Sequence, residues 1–290
     1  MTEEGNGNHP GIHAVEVRKR APGSKWILFL AVLFVLATFL AWYFTWFGRE
    51  LSDADISKYL SDVNNPRHVQ HALNQIQQRI ERGDGSAKTW YPQLVTLSGD
   101  PEPQFRLMVA WVMGFDNQSA EFHEALKKLV RDQEPLVRRN AALALVRFND
   151  PSGSRELVDI LRLYHVRAPA GGIITSTLRE GAEVTRGTLL ARIQQTDGKV
   201  LEVRSPLPGR INQIVKANGA QVSADDEVLN LNSDEASVWE ALRALTFVGS
   251  KEDLAIVQQQ AYASDSRRVR EQASLTAKAI EARTKALMQN

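Results

Sequence analysis

The sequence has 290 residues, enough for two modest domains plus accessory segments. Its 35 basic and 34 acidic residues nearly cancel, so no overall electrostatic field favours nucleic acid or an acidic substrate as a partner. The absence of cysteine excludes disulfide bonds, thiolate metal sites and cysteine nucleophiles, and it is compatible with an oxidising compartment.

An uncharged apolar segment, residues 26–47, predicts a transmembrane helix. A bilayer core of about 30 Å needs about 20 helical residues, and this segment supplies them. Trp26 at one end and Trp42, Tyr43 and Trp46 at the other are typical of aromatic belts at the two membrane interfaces. A cleaved signal peptide is the alternative, but its apolar part spans about 7 to 15 residues and ends at small residues. We therefore predict an uncleaved anchor in the lipid bilayer.

The residues that flank the anchor predict its orientation. Four basic side chains between residues 18 and 25 precede it, whereas Arg49 follows it beside Glu50. The positive-inside rule then leaves residues 1–25 in the cytoplasm, as a disordered tail without apolar periodicity. We expect a single-pass protein of the inner membrane whose later domains are periplasmic, or extracellular if the cell has no outer membrane.

Apolar periodicity predicts pairs of helices over residues 48–164 and 233–290. The segments 100–106, 132–138 and 265–270 each combine an Asp with an Arg and lead into an apolar helix. Arg106 and Arg138 are 32 residues apart, a spacing typical of a solenoid of stacked helix pairs. Trp90, Trp111 and Trp239 fall at the spacing of core residues. The pattern resembles HEAT-like repeats, in which an Asp, a Val-Arg pair and then alanines mark the second helix.

The resemblance to HEAT-like repeats implies a structural role for the arginines Arg106, Arg138 and Arg270. In such repeats the equivalent arginines pair with aspartates of neighbouring turns, and the candidates in this sequence are Asp100, Asp132 and Asp265. A ladder of arginines that attracts an anionic partner is the alternative. We favour the structural pairing.

Residues 165–232 interrupt the helical pattern with short β-rich segments that repeat once. Residues 166–173 (VRAPAGGI) are followed 37 positions later by residues 203–210 (VRSPLPGR). Gly181 and Gly219 mark turns, and Asp197-Gly198 predicts a hairpin between the two halves. We therefore predict a mainly α protein in which a β insert separates two paired helices of the repeat.

The insert resembles the biotinyl/lipoyl-like barrel-sandwich hybrid, also found in HlyD-type membrane-fusion (periplasmic adaptor) proteins. The two repeated starts, with Gly171, Gly172 and Gly209, and the Gly-Ala-x-Val turns after residues 180 and 218 carry the resemblance. It implies structural and docking roles for these glycines. Carriers attach biotin or lipoate to a lysine at the hairpin tip. Lys199 instead follows the Asp-Gly turn in a longer link, so we favour an unmodified, solvent-exposed lysine.

No catalytic constellation is evident in the sequence, and we predict no catalytic residue, cofactor or metal. His68 and His71 have a minimal metal-site spacing, but no further ligand is evident. The architecture favours a non-enzymatic scaffold or adaptor of an envelope complex for transport or secretion, with protein partners and no nucleic acid. The alternatives are a biotin or lipoate carrier tethered to a membrane enzyme, and a ligand sensor that signals through the transmembrane segment.

Overall fold

The computed structural model describes residues 23–46, 50–176 and 178–289, and the chain divides into a short unit up to Glu50 and a large unit from Leu51 onward. The short unit contains helix α1 (Gly23–Trp46). Its stretch Lys25–Trp42 is unburied and is long and apolar enough to cross a membrane, features that a signal sequence shares. The predicted cytoplasmic tail lies, up to residue 22, outside the described residues.

The large unit is mainly helical. Its described helices are α2 (Asp53–Ser61), α3 (Pro66–Glu81), α4 (Tyr91–Leu97), α5 (Pro103–Met113), α6 (Ala120–Leu129), α7 (Pro135–Arg147), α8 (Ser154–Ile160), α9 (Glu235–Val248), α10 (Leu254–Ala263) and α11 (Arg267–Gln289). Short 3₁₀ turns at Gly85–Trp90, Pro151–Gly153 and Lys251–Asp253 lead into α4, α8 and α10.

Local chemistry explains where several helices begin. Pro66, Pro103 and Pro135 open α3, α5 and α7, positions at which the missing backbone N–H has no intrahelical partner to lose. Ser119 and Asp234 cap α6 and α9 by accepting hydrogen bonds from backbone N–H groups of the first turn (3.3 and 3.0 Å). The proline and cap positions therefore fix the boundaries of the helix pairs.

Two apolar clusters run through the helices. The first extends from α2 to α7 and includes the buried side chains of Trp90 and Phe122. The second contains Leu157 of α8 together with Leu242 and Leu245 of α9. Because α8 and α9 pack against each other although the β strands separate them in the sequence, the helical stack continues across the insertion.

The three tryptophans predicted in the core differ in environment. Trp90 is buried, as predicted, and donates from Nε1 to Ser57 Oγ (2.9 Å). Trp111 is 42% exposed, so its predicted core position is wrong. Trp239 is half-buried, and the guanidinium of Arg268 lies 3.8 Å from its ring centroid.

The described strands lie between α8 and α9: β1 (Tyr164–Arg167), β2 (Gly172–Thr175), β3 (Glu183–Val184), β4 (Leu189–Gln194), β5 (Val200–Arg204), β6 (Gly209–Ile214), β7 (Gln221–Val222) and β8 (Glu227–Ser233). They form two antiparallel four-stranded sheets with the orders β1-β8-β6-β3 and β5-β4-β2-β7. One apolar cluster draws side chains from both sheets.

The two halves of the β region are related by an internal symmetry. Replacing β1–β4 by β5–β8, and the reverse, converts one sheet order into the other. Hydrogen bonds repeat in the same way: Gly181 N–H donates to the carbonyl of Ile211, and Gly219 N–H donates to that of Ile174 (both 2.8 Å). Since each sheet combines strands from both halves, the halves stabilise each other.

Candidate functional site

A large cleft lies between the helices and the β region, where the chain passes from one to the other. This junction cleft has a volume of about 1630 Å³ and is lined by residues 159–165, 183–185, 207–210 and 232–235, by Arg138, Arg139, Arg167 and Val238, and by side chains between positions 256 and 269. The chain crosses between helices and strands twice, from α8 to β1 and from β8 to α9, and both of these chain crossings border the cleft. Helices and β strands therefore both contribute to the wall of this cleft.

Paired charges occupy two parts of the cleft. Arg138 donates from Nε to Glu156 Oε2 (2.8 Å) at the base of α8. At the β side, Nδ1 of His165 contacts Glu227 Oε1 (2.8 Å), and this hydrogen bond lowers the pKa of the Glu227 carboxyl. Tyr164 also lines the cleft, and burial raises the pKa of its hydroxyl. Arg138 and Glu156 therefore neutralise each other at the helical side of the cleft.

Arg139 differs from the other charged side chains of the cleft. It is 6% exposed, and its Nη2 atom donates to Ser233 Oγ (3.3 Å). Its buried Nε and Nη1 atoms have no hydrogen-bond partner among the described residues. Burial lowers the pKa of its guanidinium, although the carboxylates of Glu156 and Asp234 oppose this shift. Sequence reasoning missed Arg139. The available indication was the repeat register, which places Leu107 at the equivalent position 32 residues earlier.

The three predicted repeat arginines make the same backbone contacts. From Nη1, Arg106 donates to the carbonyls of Asp100 and Pro101 (2.8 and 3.0 Å), Arg138 to those of Asp132 and Gln133 (2.9 and 3.0 Å), and Arg270 to those of Ser264 and Asp265 (2.7 and 2.9 Å). Each arginine therefore holds the loop that precedes its own helix.

The carboxylate partners of these arginines differ from unit to unit. Arg106 binds both carboxylate oxygens of Asp132 (2.7 and 2.9 Å). Burial alone would raise the pKa of Asp132, but hydrogen bonds from Arg106 and from a backbone N–H outweigh it and lower that pKa. Arg138 takes Glu156 in place of an aspartate, because the start of α8 supplies the nearest carboxylate. For Arg270 the contacts found are backbone carbonyls, not the carboxylate of Asp265.

Gly172 and Gly209 lie where a side chain would collide with a neighbouring strand. A Cβ on Gly172 would lie 2.7 Å from Cγ2 of Ile193 and would also meet the carbonyl oxygen of Gln194. A Cβ on Gly209 would meet the carbonyl oxygen of Asn232. Both glycines open equivalent strands, β2 and β6, so the close approach belongs to the internal symmetry of the β region.

The remaining predicted positions are turn and surface residues. Gly181 and Gly219 have φ angles of +81° and +85°, which L side chains rarely adopt, and lie in the turns before β3 and β7. A Cβ on Gly171 would make an ordinary contact of 3.4 Å with the carbonyl oxygen of Val222. Lys199 lies at the turn between β4 and β5. Its side chain is 76% exposed and its Nζ lies 3.0 Å from Asp197 Oδ2.

The two histidines weighed as metal ligands belong to an aromatic cluster. His68 pairs through Nδ1 with Asp62 Oδ2 (2.7 Å) and stacks on Tyr59 with 4.2 Å between ring centroids. His71 lies against the same ring at 6.1 Å. In the part of the chain that the structure describes, no group of three or more histidine, aspartate or glutamate side chains is placed to hold a metal ion.

Comparison with known proteins bears on the helices. Residues 91–168 match the family model of HEAT repeats. Among solved structures, the chain is similar to a single-chain, multi-domain long-chain acyl-CoA carboxylase at 17% identity and a TM-score of 0.24, over 34% of this chain and 9% of that one. It is also similar to an engineered protein at 15% identity and a TM-score of 0.41, over 78% of each chain. No curated protein sequence matches the chain. The match to HEAT repeats covers α4 to α8.

Proposed function

We propose that the protein is a membrane-anchored, non-enzymatic scaffold or adaptor of an envelope complex for transport or secretion. In this proposal α1 anchors the chain in the inner membrane, the first residues are cytoplasmic and the large unit is periplasmic. The observation that carries the proposal is the insertion itself. The helices α8 and α9 pack against each other although the β region separates them in the sequence. The helical repeats therefore present the β region to partners and also offer their own surface.

We further propose that the β region is a barrel-sandwich hybrid similar to that of HlyD-type adaptors. The exchange of strands between its halves supports this assignment, as do the close strand contacts at Gly172 and Gly209. The link between the halves is a tight turn near Asp197, with no room for the helical hairpin that such adaptors insert there. Partners would therefore contact the β region directly and not through a coiled-coil arm.

Cross-linking in native membranes, followed by affinity purification, tests the adaptor role. The control variant replaces residues 165–232 with a short Gly-Ser linker, which can close the gap because Tyr164 and Leu231 are paired neighbours in the sheet. We expect the full chain to recover a transporter or an outer-membrane channel and the control variant to lose it. Recovery of no membrane partner by the full chain would contradict the adaptor role.

Intact mass of the native protein separates the adaptor role from the carrier alternative. Lys199 is exposed enough to accept a group, and its pairing with Asp197 is a surface contact. We expect the unmodified mass of the chain. A biotinyl or lipoyl group on Lys199 would show that the protein is a carrier.

A further inference from the structure

Arg139 occupies a position that the preceding repeat fills with a leucine. The equivalent carbonyl contacts of Arg106 and Arg138 fix the alignment of the two units, so that Leu107 corresponds to Arg139. Leu107 packs against the apolar core of its unit. The unit that borders the β region therefore places a cation where its neighbour places an apolar side chain.

The guanidinium of Arg139 has fewer hydrogen-bond acceptors than donors among the described residues. Guanidinium has five N–H donors, and burying them without acceptors costs free energy. The hydrogen bond of Arg139 to Ser233 is long at 3.3 Å, and two of its nitrogens have no partner in the described ranges of the chain. The nearby carboxylates are committed elsewhere, because Glu156 accepts from Arg138 and Asp234 caps α9. Two nitrogens of Arg139 therefore have no acceptor among the described residues.

The surroundings of Arg139 fit a segment of polypeptide. The junction cleft, at about 1630 Å³, exceeds the roughly 300 to 1,000 Å³ of small-molecule pockets. Apolar side chains such as Leu207, Val238 and Ile256 line it. The cleft wall also includes β1, an edge strand of its sheet whose outer backbone groups face away from β8.

We propose that Arg139 binds a carboxylate from an extended acidic segment of a protein partner that lies in the junction cleft. This inference rests on the proposed docking function and names its chemistry. In the conformation described, Nε and Nη1 are buried and Nη2 donates to Ser233 Oγ, which lines the cleft. The carboxylate takes the place of Ser233 at Nη2, and the guanidinium then turns toward the cleft so that its other nitrogens can donate. Ser233 ends β8 at the return to α9. Binding would therefore loosen one of the two chain crossings that hold the β region on the helices.

Isothermal titration of the full chain in detergent micelles, at fixed ionic strength, tests the proposal. The probe is the peptide acetyl-Val-Glu-Val-Glu-Val-amide, and its matched control carries glutamine in place of both glutamates. We expect the acidic peptide to bind at least about tenfold more tightly, because its charge-assisted hydrogen bonds are lost with glutamine. Equal binding of the two peptides would overturn the proposal whatever the behaviour of any variant.

Two substitutions locate the site. Arg139→Leu restores the residue of the preceding repeat, and we expect it to fold and to weaken the acidic peptide at least about tenfold. Arg162→Leu is the control, since Arg162 lines the same cleft but is 57% exposed and paired with Asp159. It is expected to change the affinity by less than about twofold. Equal losses in the two variants would show general charge attraction and overturn the assignment to Arg139.

Two further outcomes separate this inference from the docking function. Sodium glutarate that bound as tightly as the peptide would assign the site to small carboxylates and overturn the peptide proposal. Recovery of the same partner from membranes by wild type and by Arg139→Leu would leave the docking function intact and contradict the role of Arg139. Loss of the partner in Arg139→Leu, with recovery by wild type and by Arg162→Leu, would support the docking function and the role of Arg139.

Discussion

The helical repeats and the β region both come from repeated sequence, but they use the repetition differently. Each helical unit is completed by the next unit in the sequence, as when Arg106 binds the carboxylate of Asp132. Each half of the β region instead completes its sheets with strands of the other half. A stack with nearest-neighbour contacts tolerates an interruption, whereas the two β halves must fold together. This difference explains why the β region is the insert and the helical stack its host.

The largest effect is expected from a cavity in the helical core. Phe122 is fully buried, with its ring centroid 4.1 Å from that of Tyr91. Phe122→Ala is expected to lower the free energy of unfolding by about 3 to 5 kcal/mol in urea denaturation followed by circular dichroism. Leu275→Ala removes a 59% exposed side chain of α11 and should change it by less than about 0.5 kcal/mol. Equal losses would contradict the assignment of the core.

The β region is expected to be most sensitive where its strands approach closely. Gly172→Ala places a Cβ against backbone atoms of β4 and should cost about 2 to 3 kcal/mol, measured by the same denaturation. Gly171→Ala, one residue earlier, meets an ordinary contact and should cost less than about 1 kcal/mol. Similar costs at the two positions would show that the strands can separate at β2.

Much of the fold could be predicted from sequence because repetition survives in the residues. The Asp-to-Arg spacing predicted the helical repeats, and the paired glycine motifs predicted the two β halves. Partner choice could not be predicted in the same way. Arg138 pairs with Glu156 and not with an aspartate, because the next helix decides which carboxylate lies nearest. The exposure of Trp111 was missed because helical spacing alone does not say which face a neighbouring helix covers.

The candidate site was harder to predict than the fold. The junction cleft exists because the chain leaves and re-enters the helical stack at one place, which periodicity does not encode. Arg139 looks like an ordinary surface cation in the sequence, and its burial depends on where β8 ends. A comparison of repeat units would have marked it, since position 107 holds leucine.

Contacts between neighbouring helical units should depend on pH. The lowered pKa of Asp132 contributes stability that is fully present above its unfolded pKa of about 4 and is lost as pH falls through the folded pKa. Asp132→Asn should therefore cost about 2 kcal/mol at pH 7, and the difference from wild type should shrink below pH 4 or so. Denaturation at a series of pH values measures this. Glu124→Gln breaks an exposed pair with Lys127 and should show no measurable loss.

The smallest effect tests the symmetry of the β region. Gly181 and Gly219 lie in equivalent turns with left-handed backbone and open space around them. Replacing either with alanine should cost about 1 kcal/mol, because strain at positive φ is then the main penalty. Gly85→Ala, at a position with open space and no positive φ, should be neutral or stabilising by less than about 1 kcal/mol. In each turn the glycine N–H donates to a carbonyl of the opposite half. Because the two turns make equivalent contacts, we expect the two substitutions to lower the free energy of unfolding equally. Unequal costs would show that the two turns are not equivalent in the folded protein.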